Sequence, residues 1–117
     1  MNILVIEDEK IISSAIIRVL TACGHDVHTM DDGFNVIEKI RNFNPSIVFL
    51  DVKMPGRSGL DVLKEIKELA PNTRVIMMSG YTSLESIKSA KDLGADDFLK
   101  KPFDDIFEIQ RIVERNI

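Results

Sequence analysis

Residues 46–59 read SIVFLDVKMPGRSG. Four apolar residues, 47–50, run without a break, and Asp51 follows them directly. A strand with one wet face alternates apolar and polar side chains, so an unbroken run predicts a strand covered on both faces, as in a parallel sheet. Met54, Pro55 and Gly56 then mark a loop. A carboxylate therefore stands at the lip of a buried strand, and the reason must lie in what else reaches that edge.

Working outward, similar runs rich in Ile, Val, Leu, Phe or Met occur at 3–6, 26–30, 74–78 and 97–99. Between them, apolar residues recur at three-to-four spacing. Ile11, Ile12, Ala15, Ile16, Val19 and Leu20 predict a first helix, with Gly24 placed for a left-handed stop. A second helix is expected at about 33–42. Leu60, Leu63, Ile66 and Leu69 predict a third before Pro71, and Leu84, Ile87 and Ala90 a fourth before Gly94. Ile106, Ile109, Ile112 and Val113 predict a fifth, from Asp104 onward. Five alternating β/α units imply an α/β fold: a parallel sheet with right-handed crossovers and helices on both faces. The run at 26–30, DVHTM, is polar enough for an edge.

Composition narrows the function classes. The 117 residues fit one domain, 1–117, with 44% hydrophobic and 29% charged residues and no linker-like block or internal repeat. A formal charge of −4 argues against a phosphate-binding groove for nucleic acid. Cys23 stands alone, which rules out an intrachain disulfide and suits a reducing compartment. No apolar run approaches the roughly 20 residues of a membrane span, and Met1-Asn2 leads into a strand without a signal peptide, so cytosol is expected.

In open parallel sheets, ligands bind beyond the carboxyl ends of the strands. Glu7, Asp8 and Glu9 follow the first strand, Asp51 ends the third, Ser79-Gly80 follow the fourth and Lys100-Lys101-Pro102 the fifth. Each has an ordinary reading: helix capping, turn chemistry or a solvated charge. Their conjunction on one edge favours chemistry. Two carboxylates about 4 Å apart repel by roughly 4 kcal/mol at an effective dielectric near 20, so a cluster of Glu7, Asp8 and Asp51 calls for a cation. Hard oxygen ligands favour Mg2+. Asp51 is then a candidate nucleophile toward phosphorus, with Lys101 and the Ser79 hydroxyl to hold phosphoryl oxygens.

VIEDE, FLDVKMPGRSG, MMSGY and FLKKPF, in this order and spacing, resemble the motifs of the response-regulator receiver domain of two-component signalling, and the match runs over the whole chain. The resemblance implies a flavodoxin-like, doubly wound fold with strand order 2-1-3-4-5. It implies that Asp51 is the phosphorylation site, that Asp8, Asp51 and the backbone carbonyl of Lys53 bind Mg2+, and that Glu7 helps through water. Ser79 and Lys101 would hold the phosphoryl group, and Phe98 would swing inward as Ser79 moves. Glu7 and Ser79 stand where the family often has aspartate and threonine, changes that keep the charge and the hydroxyl.

The implied cycle takes a phosphoryl group from a sensor histidine kinase or histidine phosphotransfer protein. The receiver catalyses its own phosphorylation and slow dephosphorylation. The face of the fourth helix, fifth strand and fifth helix then changes its output partner or dimerises. Lys53 and Tyr81, both bulky, are expected to flank the path of water and lengthen the phosphoryl lifetime. Docking of the phosphodonor is expected near Ile11, Ile12 and Ala15, with Ser13 and Ser14 as exposed neighbours. The terminal IVERNI is still periodic, which leaves open a stand-alone receiver or the receiver of a larger regulator.

Other classes fit less well. A haloacid-dehalogenase-like phosphatase resembles DxDx[TV] after its first strand, whereas this chain has EDE there. A dinucleotide site needs a GxGxxG that follows no strand here. A phosphorylation-independent interaction domain on the same fold has no need of Asp8, Asp51, Ser79 and Lys101 together.

Overall fold

The computed structural model of the protein describes residues 1–80, 84–103 and 105–117. Strands β1 (Asn2–Ile6), β2 (Asp26–Met30), β3 (Ile47–Asp51), β4 (Arg74–Ser79) and β5 (Asp97–Lys100) alternate with helices α1 (Lys10–Ala22), α2 (Val36–Phe43), α3 (Gly59–Leu69), α4 (Leu84–Asp92) and α5 (Phe107–Glu114). The sheet is parallel throughout, in the order β2-β1-β3-β4-β5. The unbroken apolar runs fill its centre, and DVHTM forms an edge, as the polarity of the two kinds of strand predicts.

Alternate side chains of each central strand enter opposite cores. Ile3, Val5, Ile47, Phe49, Ile76 and Met78 meet α1 and α5, while Leu4, Ile6, Val48, Leu50, Val75 and Met77 meet α2, α3 and α4. Burying one such side chain is worth about 1.5–3 kcal/mol, so a central strand is fixed from both sides. That rigidity is what the C-terminal edge needs if it is to hold reacting groups still.

Two helix starts differ from the sequence expectation. α2 begins at Val36 rather than at 33, because Asn35 before it adopts a left-handed conformation (φ 60°) that no helix continues through. α5 begins at Phe107; Asp104, its expected start, lies outside the described residues. Gly24 ends α1 with φ 89°, as its position suggested. α1 also sits rotated from the expected apolar face. Ser13 is buried, its hydroxyl donating to the Lys10 carbonyl (3.2 Å), while Ile11 is 88% exposed. Ser13 is therefore no exposed neighbour of a docking face; Ser14 is exposed as expected. Among the described residues no helix is long and apolar enough to cross a membrane.

Candidate functional site

The backbone carries the ladder one residue past several strands, and this places the site. Glu7 N–H donates to the Met30 carbonyl (2.9 Å), Val52 N–H to Met78 (3.0 Å) and Lys101 N–H to Ser79 (2.8 Å). Glu7, Asp51, Ser79 and Lys101 thus issue from hydrogen-bonded backbone at one sheet edge. All four are buried, between 2% and 9% exposed, although polar groups of this kind normally face water.

Their charges interlock. The Lys101 ammonium lies 2.6 Å from Glu7 Oε1 and 3.3 Å from Asp51 Oδ2, with the exposed Glu9 carboxylate at 3.8 Å. Glu7, Asp8 and Asp51 each offer a carboxylate oxygen within 4.8 Å of the others. Asp8 is exposed, which opens the cluster to solvent on that side. Asp51 Oδ1 accepts from the Lys53 N–H at 3.3 Å. The ordinary capping role does not account for the acids: α1 has Glu9 at its N-cap without a side-chain capping bond, and its first turn contains no acid.

One ammonium does not balance three carboxylates. Burial, then a hydrogen bond and charge repulsion from Asp51, push the Glu7 carboxyl up to about 8 against the pull of Lys101. Burial pushes Lys101 down, but its hydrogen bond to Glu7 and the charges of Asp51 and Glu7 outweigh that and raise it. Glu7 Oε2 is buried and has no hydrogen-bond partner among the described residues. An excess of buried negative charge with an orphaned oxygen, all from hard oxygen donors, is what a small divalent cation would satisfy.

The sequence expectations therefore converge: Asp8, Asp51, Glu7 and Lys101 come together, with Ser79 buried at the end of the adjacent β4. Lys53 is exposed beside Asp51, Phe98 on β5 is half-buried against the core under α4, and Tyr81 lies outside the described residues. One feature escaped the sequence, and another was foreseen as a docking face on α1 but not as a groove. Gly59 lies so close to the Asp51 carbonyl that a Cβ would collide with it, so α3 presses directly on the backbone of the central acid. A groove of about 630 Å3 also opens beside Lys101, with Ile11, Ile12 and Ala15 of α1 on one side and Pro102, Phe103 and Ile106 on the other. The second wall lies 90 residues away in sequence, and only the fold joins it to α1.

A family model described as the response regulator receiver domain matches residues 3–114. The DNA-binding transcriptional regulator NtrC of Escherichia coli K12 is 37% identical over 113 residues, covering 97% of this chain and 24% of NtrC. The chain thus spans about a quarter of that relative's length. Sporulation initiation phosphotransferase F of Bacillus subtilis is 34% identical over 114 residues, 97% of this chain and 91% of that protein. Among solved structures, the receiver domain of NtrX from Brucella abortus superposes with a TM-score of 0.90 at 35% identity, covering 97% of this chain and 96% of that domain. With the sheet order and the acidic edge already in place, these matches establish that the chain belongs to the receiver-domain family of two-component response regulators.

Proposed function

We propose that residues 1–117 act as one phosphoacceptor unit, with Asp51 as the residue phosphorylated. The observation that carries this reading is the buried Lys101 ammonium between Glu7 and Asp51, with Asp8 completing an acidic cluster at the end of a central strand. An Asp51 oxygen attacks the phosphorus of a phosphohistidine; the O–P bond forms as the P–N bond breaks, and the imidazole leaves with the electron pair. Lys101 and the Ser79 hydroxyl hold the phosphoryl oxygens, and charge spread over those oxygens is what they stabilise. Asp8, Asp51 and the Lys53 carbonyl would hold Mg2+, with Glu7 reaching it through water. When bound, the ion supplies positive charge against the phosphoryl oxygens.

The donor is a sensor histidine kinase or a histidine phosphotransfer protein, and the apolar groove beside Lys101 suits an amphipathic helix carrying the histidine. The phosphoryl group adds about two negative charges at pH 7, draws Lys101 and Ser79 toward it and lets Phe98 turn inward. The α4–β5–α5 face then engages an output domain or protein, or a second copy. Lys53 and Tyr81 restrict water and lengthen the adduct's life. The reaction belongs in the cytoplasm, where the donor's phosphohistidine is formed.

Intact mass after incubation with acetyl phosphate tests the reading. The protein should gain one phosphoryl group per chain with Mg2+ and none with chelator or in Asp51→Ala. A turnover of phosphate ester beyond one equivalent would point to a phosphatase. An unchanged mass, together with no response to beryllofluoride, would point to a phosphorylation-independent domain.

A further inference from the structure

The loop that leaves Asp51, residues 52–58, is anchored at its ends. Val52 N–H bonds to Met78, Gly59 N–H returns to the Val52 carbonyl (2.9 Å), and the Ser58 hydroxyl caps α3 by accepting from Leu60 N–H (3.2 Å). Between these anchors stands Arg57. Its Nη1 donates to Glu65 Oε1 (3.0 Å) and its Nη2 to Glu65 Oε2 (3.2 Å), a two-pronged pair with a carboxylate two turns along α3. Nη1 also donates to the Gly33 carbonyl at 3.0 Å, in the segment joining β2 to α2. Both charged side chains are partly covered, 25% and 33% exposed, so the pair is screened less than a fully exposed one.

The two loops also touch through their side chains. A Cβ on Gly33 would meet Val62, Arg57 and Met54, and one on Gly56 would meet the Phe34 ring at 2.9 Å. Arg57 therefore joins three separate pieces: the loop carrying Lys53, helix α3 and the β2–α2 segment. Its planar fork engages both oxygens of one carboxylate while still serving a carbonyl, a fixed two-pronged geometry that a lysine ammonium does not reproduce.

We infer that Arg57 is a positioning residue: its clasp on Glu65 and Gly33 holds the 52–58 loop, and with it the Lys53 backbone, in the arrangement that the cation site beside Asp51 requires. The inference rests on the metal-binding reading above. Released from the clasp, the loop must be ordered anew each time the cation binds, and that entropy is subtracted from affinity. Groups hydrogen-bonded directly to a metal ligand commonly change metal affinity by about 10–100-fold, and Arg57, which acts one step further out, belongs at the low end of that range.

The test compares wild type, Arg57→Met, Glu65→Met and the double variant. Amide hydrogen exchange in chelator should accelerate over 52–58 and 31–35 in each variant, with β1, β3 and α5 unchanged. Calorimetric titration with Mg2+ alone should show affinity about tenfold weaker in each. The double variant should lose no more than Arg57→Met alone, because Glu65 acts only through Arg57, which also holds the Gly33 carbonyl. Phosphorylation by acetyl phosphate should recover its wild-type rate at saturating Mg2+, which a distorted active site would not allow. Where Arg57→Met fails to fold, Arg57→Lys carries the same comparison with a smaller loss. Wild-type exchange over 52–58, or weakened Mg2+ binding without faster exchange there, would overturn the inference. Failure of the wild type itself to bind Mg2+ would strike the metal-binding reading, and the exchange measured in chelator would still decide whether the clasp orders the loop.

Discussion

Glu7 is buried with a half-satisfied carboxylate, and burial together with Asp51 pushes it up to about 8. An unfolded glutamate titrates near 4.5, so the folded, metal-free protein binds this proton more tightly than the unfolded chain. That contribution to stability is fully present below about pH 4.5 and is lost as pH rises through about 8. Glu7→Gln presents an uncharged group of the same shape beside Asp51 and Lys101. In chelator, thermal unfolding of Glu7→Gln at pH 8.5 should lie above wild type by about 4 °C or more, the equivalent of about 1 kcal/mol in a chain of this size, with the gap closing toward pH 5. A wild type that is the more stable at pH 8.5 would mean that Lys101 fully compensates Glu7. The sequence showed that Glu7, Asp51 and Lys101 share an edge. It could not show that Lys101 lies nearer Glu7 than Asp51, because that contact spans 94 positions and depends on side-chain reach.

Elements were legible where burial is two-sided and less so where a local bond competes with periodicity. The three central strands follow from short, continuous apolar runs rich in Ile and Val or bounded by polar and turn residues, which suit strands covered on both faces. In α1 the count of apolar residues suggested a face including Ile11, but a small Ser13 satisfied by the Lys10 carbonyl turns inward and leaves Ile11 beside the groove. The seating of α5 on β5 was equally hidden. Asp97 accepts from Arg115 at 2.7 and 3.1 Å, from Asn116 at 2.9 Å and from Phe98 N–H at 2.8 Å. Burial alone would raise Asp97, but these partners outweigh it and lower its pKa below the usual 3.8. Its stabilisation is therefore present above about pH 4 and lost as pH falls through the depressed folded value. Asp97→Asn should cost about 1–2 kcal/mol at pH 7 by urea denaturation, at the low end because Arg115 is mostly exposed, and the difference should shrink toward pH 3. A cost that does not change with pH would assign the effect to packing instead.

Across the whole molecule, support is uneven in a way that suits a switch. β1, β3 and β4 are covered on both faces, whereas β5 is a four-residue edge strand with one buried residue, Leu99, and Phe98 only half-buried. Charge added at Asp51 would meet a rigid floor below and a looser wall at Ser79, Lys101 and β5. Reversing a population from about 1:99 to 99:1 takes roughly 5.5 kcal/mol of differential interaction, which contacts of a phosphoryl group with Lys101, Ser79 and a cation are of the right size to supply. Phe98 has no hydroxyl to hydrogen-bond in either position, so burial of its ring is what would favour the inward state. Beryllofluoride with Mg2+ should therefore alter amide exchange in α4, β5 and the first turn of α5, leave β1, β3 and the C-terminal half of α1 unchanged, and give a smaller response in Phe98→Ala. Because Arg115 and Asn116 tie the far end of α5 to Asp97, the change should fade along that helix, and Asp97→Asn should let it spread. A response confined to the 52–58 loop, or one spread evenly over the sheet, would mean that the phosphoryl signal does not travel by way of β5.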